Sequence, residues 1–329
     1  MPTPSAQIHP GTPQHLRRLA AVLRRGDLVG VPTETVYGLA GNALDPKACR
    51  KIFRAKGRPT HDPLIVHIHD HAQLDVIAIP NDAARKLARA FWPGPLTLVL
   101  PKRAIIPAIV SSGLPSVAVR MPRHPLFRRL LKLTGLPLAA PSANPFGYIS
   151  PTSAAHVAAS LGKKIAHILD GGSSRIGVES TIVDLRDPSA PKILRPGAIT
   201  PAQLQAVLRT PVKAFHRIPS RGAAIAPGLL KRHYSPRTPC TLHSRLSIAR
   251  ARHSAANEAW IFQKRPVSLT GKNIFWLDEK GRLENAARNL FATLRRVDIQ
   301  KFACIHLERA HGDGLADAIN DRLRRAAAK

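Results

Sequence analysis

The chain has 329 residues, 44% apolar and only 5% aromatic, which rules out a disordered protein and allows two or three domains with aliphatic cores. Fifty Lys and Arg against 20 Asp and Glu give a net charge of +30, which favours polyanionic partners such as nucleotides or nucleic acid. No apolar run is long enough to span a bilayer, and the separated Cys49, Cys240 and Cys304 form neither a metal motif nor a disulfide framework, as suits a reducing cytoplasm.

The N-terminus lacks the basic flank and apolar core of a secretory signal. A first helix is predicted where Thr12 caps, Pro13 takes the first turn, and Leu16, Leu19, Ala20 and Leu23 form one apolar stripe ended by Gly26. Residues 28–31 read as a strand. The octet Pro32-Thr33-Glu34-Thr35-Val36-Tyr37-Gly38-Leu39 then puts two hydroxyls, a carboxylate and a phenol past a strand end, where ligand loops gather. It reads also as a polar turn with Tyr37 packed on the core.

A helical pattern over 47–55 runs into Lys56-Gly57-Arg58-Pro59, followed by an apolar strand over 64–68. A stiff loop with a point charge and a planar fork of donors suits a phosphate chain, although basic surface turns are common. Residues 81–91 read as an amphipathic helix stopped by Pro93-Gly94-Pro95, and 96–100 as a strand. The strand over 116–119 delivers Arg120 near the core edge, where an arginine needs an anion: a ligand carboxylate, the favoured reading, or a nearby Asp or Glu.

His124-Pro125 opens a helix, and a strand over 137–140 runs into Pro141-Ser142-Ala143-Asn144-Pro145, a turn whose polar groups should point one way. Ser150-Pro151-Thr152 is predicted to start a helix whose free N–H groups face an anion. Strands follow over 165–169 and 179–184, and Ile193-Leu194-Arg195-Pro196-Gly197 again empties a strand into an arginine. Thr200 and Gln203 form a capping box. Between Asp82 and Asp170, and again between Asp187 and Glu258, there are twelve Lys or Arg and no acidic residue. The irregular alternation predicts an α+β domain with a mixed sheet over about 200 residues. Neither a dinucleotide fingerprint nor a phosphate-loop lysine motif occurs.

Periodicity fades over 211–239, read as a linker, where Arg232-His233-Tyr234-Ser235-Pro236 is unusual for a spacer. Beyond it, strands over 260–262, 273–277 and 302–307 alternate with helices over 284–296 and 315–327, which predicts a small α/β domain with a parallel sheet.

Four stretches, Pro32 to Leu39, Lys56 to Pro59, Ser116 to Pro122 and Pro141 to Asn144, resemble the YrdC-like family. The linker and trailing domain resemble its two-domain members, the L-threonylcarbamoyladenylate synthases. The resemblance implies an α+β fold, a twisted mixed sheet with a basic central cavity followed by a smaller Rossmann-like α/β domain. The implied division is 1–210 for catalysis, 211–239 for a linker over the site, and 240–329 for the second domain. It implies formation of threonylcarbamoyl-AMP and pyrophosphate from L-threonine, bicarbonate and ATP, with magnesium held through the ATP phosphates and not by a protein metal site. The product would feed threonylcarbamoyl-transfer proteins that modify tRNA.

The resemblance matches Lys56 and Arg58 to catalysis and, with Asp62, Ser116, Ser142, Asn144, Ser150, Arg195 and Tyr234, to ATP binding. Thr35, His67, Arg120, Ala140 and Ser180 match positions around the threonine. Asp62 stands where Asn is usual, and a carboxylate there repels triphosphate unless it meets magnesium. Gly228 to Arg232 also depart from the usual Met-Lys-Tyr-Arg. The charge keeps open an alternative: a non-catalytic module of the same fold that binds double-stranded RNA or tRNA.

Overall fold

The computed structural model describes residues 5–213 and 233–328. In the first part, β1 (Gln7–His9), α1 (Pro13–Arg24), β2 (Val29–Val31), β3 (Gly38–Asn42), α2 (Pro46–Lys56) and β4 (Ile65–His67) come first. There follow α3 (Ala72–Ile77), α4 (Asp82–Phe91), β5 (Leu96–Pro101), α5 (Ala108–Ser111), β6 (Ser116–Arg120), α6 (Pro125–Thr134) and β7 (Leu138–Ala139). The part closes with α7 (Ala154–Leu161), β8 (His167–Leu169), β9 (Thr181–Asp184), β10 (Lys192–Arg195) and α8 (Pro201–Leu208).

Its ten strands order β1-β8-β2-β3-β7-β4-β6-β5-β9-β10. Parallel pairs such as β4 with β6 stand beside antiparallel pairs such as β5 with β6, which gives the expected mixed sheet. Helix α1 forms as its cap and stripe predict: Thr12 accepts the His15 N–H, and Leu16, Leu19, Ala20, Val22 and Leu23 are buried. They pack on α6 through Phe127, Leu130 and Leu131. The Thr200–Gln203 capping box is present in both directions.

The second part holds β11 (Cys240–His243), α9 (Ile248–Arg252), β12 (Glu258–Lys264), β13 (Ile274–Asp278), α10 (Leu283–Asp298), β14 (Cys304–Glu308) and α11 (Leu315–Ala326). Its sheet orders β11-β14-β12-β13, every pair parallel, as its alternation predicts. Helices α10 and α11 bury Leu290, Phe291, Leu294, Ile319 and Leu323 against it.

Several elements differ from the sequence reading. Strand β3 has no counterpart in the sequence reading, because its sequence, Gly-Leu-Ala-Gly-Asn, lacks β-branched and aromatic residues. It needs small ones: a Cβ on Gly41 would sit 2.9 Å from a Leu28 methyl. The helix expected to start at Ser150 starts at Ala154, because Ser153 caps it by accepting the His156 N–H. Residues 179 and 180 precede β9 as irregular backbone. The short β1, α3, α5, β11 and α9 are too brief to show a period.

Candidate active site

The loop after α2 is fixed by its glycine. Gly57 has φ +62, and paired hydrogen bonds, from Gly57 N–H to Arg54 O and from Arg58 N–H to Phe53 O, close the helix. That turn sends both cations inward, leaving Lys56 2% and Arg58 6% exposed. Lys56 Nζ donates to the carbonyls of Ser142 and Asn144, each at 2.6 Å. The polar groups of the Pro141–Asn144 turn therefore do not all point one way. Two of its carbonyls converge on Lys56, while the Asn144 amide donates to Pro145 and Tyr148 carbonyls at 2.8 Å.

Arg58 spans its own loop. Nε donates to the Asp62 carbonyl at 2.9 Å, Nη2 to the Pro63 carbonyl at 2.7 Å, and Nη2 pairs with the Asp62 carboxylate at 2.9 Å. Burial, then the neighbouring Arg58, holds the Lys56 ammonium well below the ordinary lysine range. Burial raises the Asp62 carboxyl, and Arg58 pulls it back down. An anion of three or four charges would relieve this corner, because it supplies the countercharge that burial removed.

A second polar corner lies where β4 and β6 run side by side, with His67 paired to Arg120 in register. Arg120 ion-pairs with Glu34 at 2.7 Å and donates to Thr35 Oγ1 at 2.9 Å and to the Gly94 carbonyl at 3.2 Å. The favoured expectation was a ligand carboxylate; here the partner is a protein carboxylate, because the loop after β2 folds across the end of β6. Burial, then the nearby Arg120, lowers His67 to about 3, so its imidazole is neutral at neutral pH.

The third wall comes from β9 and β10. Arg195 donates from Nε to the Ser180 carbonyl and from Nη2 to Ser180 Oγ, both at 3.1 Å. Ser180 Oγ also meets Thr97 Oγ1 at 2.7 Å. Burial lowers Arg195 below the usual arginine range.

These walls line one narrow cavity of about 40 Å³. Thr35, Arg58, His67, Arg120, Ala140, Ser142, Ser180, Arg195 and Tyr234 all line it. Lys56, Asp62 and Asn144 stand directly behind through the bonds above. Ser150 does not reach the cavity. Its hydroxyl donates to Glu179 Oε1 at 2.6 Å, and Glu179 is the lining residue. Ser116 opens β6 at the end away from Arg120, buried and with its hydroxyl unpartnered among the described residues.

The described end of the linker enters the cavity. Tyr234 is 1% exposed, in the left-handed region at φ +62, and its hydroxyl has no hydrogen-bond partner among the described residues. His233 packs on it with ring centroids 4.1 Å apart, and Phe291 of α10 lies 5.5 Å away on another side. The departure at 228–232 lies outside the described residues. Sequence reading placed Thr33 and Glu34 in a ligand loop but did not single out Glu34 as the partner of Arg120, and it missed Glu179 and His233 as lining residues, which adjoin Ser180 and Tyr234.

A family model described as "Telomere recombination" and labelled Sua5, YciO and YrdC matches residues 21–197. Another, described as the C-terminal domain of threonylcarbamoyl-AMP synthase, matches residues 199–328. The chain is 42% identical over 321 residues to a threonylcarbamoyl-AMP synthase of Pyrococcus abyssi, covering 94% of this chain and 93% of the relative. The chain belongs to the threonylcarbamoyl-AMP synthase family. A Bacillus subtilis member is 39% identical over 330 residues, covering 95% of this chain and 92% of its own length. The crystal structure of P. abyssi Sua5 complexed with L-threonine superposes with a TM-score of 0.90 at 39% identity, covering 98% of both chains. Escherichia coli YciO, at 20% identity and a TM-score of 0.52, shares the fold over 58% of this chain.

Proposed function

We infer that this chain joins L-threonine, bicarbonate and ATP into threonylcarbamoyl-AMP, with release of pyrophosphate. One observation carries the reading: a single cavity joins two kinds of corner. Lys56, Arg58 and Arg195 suit a phosphate chain, and Arg120 with His67 and Ser180 suits a small amino acid. The family membership and the P. abyssi complex with L-threonine support it.

In this reading the threonine amine and bicarbonate give a carbamate and water, and the carbamate oxygen attacks the α-phosphorus as the bond to pyrophosphate breaks. Both partners are anions. Lys56 and Arg58, placed as the catalytic pair, and Arg195 lower their repulsion and meet the departing charge. Positioning supplies most of the remainder, and no protein nucleophile is required. Asp62, Ser142, Asn144, Ser150 and Tyr234 shape the ATP side, directly or through Lys56, Arg58 and Glu179, and the resemblance assigns Ser116 to the same side. Thr35, His67, Arg120, Ala140 and Ser180 shape the threonine side, with Arg120 taking the carboxylate in place of Glu34. Magnesium enters with the ATP phosphates as part of the substrate; among the described residues no three His, Cys, Asp or Glu gather to hold a metal.

In this reading residues 1–210 carry catalysis, 240–329 make the second domain, and the linker between them brings His233 and Tyr234 to the cavity. The product passes to transfer proteins acting on tRNA in the cytoplasm; among the described residues no helix is long and apolar enough to cross a membrane. The kinship with threonylcarbamoyl-AMP synthases favours this reading over a module that only binds RNA. The test is pyrophosphate release on omitting each substrate in turn. Release only with all three present supports the reading, and release without threonine overturns it.

A further inference from the structure

A side chain of the second domain reaches the cavity wall by hydrogen bonds. Arg322, on α11, is wholly buried. Its fork bridges two strand ends of the first domain. Nε donates to Glu179 Oε2 at 2.9 Å, and Nη1 donates to the Pro196 carbonyl at 2.7 Å. Nη1 also meets Asp321 at 3.1 Å, and the guanidinium carbon lies 5.5 Å from the centre of the Tyr234 ring.

Glu179 leads directly into Ser180, and Pro196 follows directly on Arg195. Those inner neighbours line the cavity and bond each other at 3.1 Å. The two segments touch so closely that a Cβ on Gly197 would lie 2.3 Å from the Thr181 nitrogen. Two acceptors at a set spacing, one a carboxylate and one a carbonyl, match a planar fork and not a point charge. The far oxygen of Glu179 is held by Ser150, so the carboxylate has one orientation.

We propose that Arg322 is a positioning residue for synthesis: it clamps the entry to β9 against the exit from β10 and so sets where Arg195 points. The second domain is then a structural part of the nucleotide site. This rests on the reading of the cavity as an ATP and threonine site. A lysine at 322 keeps the charge beside Glu179 but cannot bridge to Pro196, so Arg195 loses its fixed aim while the domain interface stays filled.

The experiment compares the full chain with Arg322→Lys and Arg322→Ala. It records thermal midpoints, KM for ATP in pyrophosphate release, and Kd for ATP by calorimetry. For Arg322→Lys the clamp predicts a KM and Kd for ATP raised about tenfold, since small misplacements of a binding group are costly. KM does not depend on how much enzyme is folded, so a role in stability alone leaves it unchanged. A KM and Kd within twofold of the parent, beside a lowered midpoint, overturns the proposal. Should Arg322→Ala fail to fold, the lysine variant decides. Should the parent release no pyrophosphate, the synthase reading falls, and the calorimetric Kd of the two proteins still decides for or against the clamp.

Discussion

Asp62→Asn separates two roles for a carboxylate beside a phosphate site. Asp62 and Arg58 are 0% and 3% exposed at their side chains and 2.9 Å apart. Removing one partner of such a pair costs roughly 3–5 kcal/mol. Asparagine keeps an oxygen for the guanidinium, and a hydrogen bond to a charged group returns about 1.5–3 kcal/mol. The variant should therefore lose about 2 kcal/mol and melt several degrees lower without ligand. The variant removes one negative charge from beside Arg58. At roughly 7 Å and an effective dielectric of about 20, one charge acts on another with about 2 kcal/mol, or thirtyfold in Kd before salt screening. Calorimetry should thus show ATP bound about five- to thirtyfold more tightly by Asp62→Asn, and ATP should raise its midpoint more than the parent's. If ATP binding weakens, Asp62 serves the nucleotide, by way of its magnesium, and the pairing argument is wrong.

Tyr234→Phe removes a buried hydroxyl that has no hydrogen-bond partner among the described residues, so stability should hold within about 1 kcal/mol while ATP affinity falls; unchanged affinity would make the ring a packing residue only. Tyr234→Ala is the poorer probe, because the ring packs on Phe291 and its loss should cost about 3 kcal/mol or more. His67 has a folded pKa near 3 against an ordinary 6.5, so the unfolded chain binds the extra proton and its contribution to stability is lost as pH falls below 6.5. Between pH 7 and pH 5, His67→Gln should therefore lose about 2 kcal/mol less stability than the parent in denaturant titrations; equal losses would place the acid sensitivity elsewhere. Glu34→Gln should lower the midpoint yet tighten threonine binding, since the partner 2.7 Å from Arg120 then carries no charge to compete with a carboxylate; weaker threonine binding would mean that Glu34 itself holds the substrate.

The legible parts of the sequence were those decided over a few residues. Thr12 and Pro13 announce α1, Gly57 announces the turn that aims Lys56 and Arg58, and the apolar run before Arg120 announces β6. The second domain was legible because long helices such as α10 carry their period openly. What stayed hidden depends on segments meeting from far apart in the chain. Nothing near Arg120 shows that Glu34 will cover it, and nothing near Ser150 shows that Glu179 will take its hydroxyl. Strand β3 was hidden for another reason: the crowding that requires Gly41 removes the branched side chains by which strands are recognised. Arg322 reads in sequence as one more exposed cation on a basic helix; only burial against Glu179 and Pro196 marks it out.

The most direct measurement supplies labelled bicarbonate with ATP and L-threonine and analyses the adenylate by mass spectrometry. The account predicts an adenylate that carries both the labelled carbon and threonine, formed by the parent and lost with Lys56→Ala. An unlabelled threonyl-adenylate, or label incorporated equally well by Lys56→Ala, would contradict it.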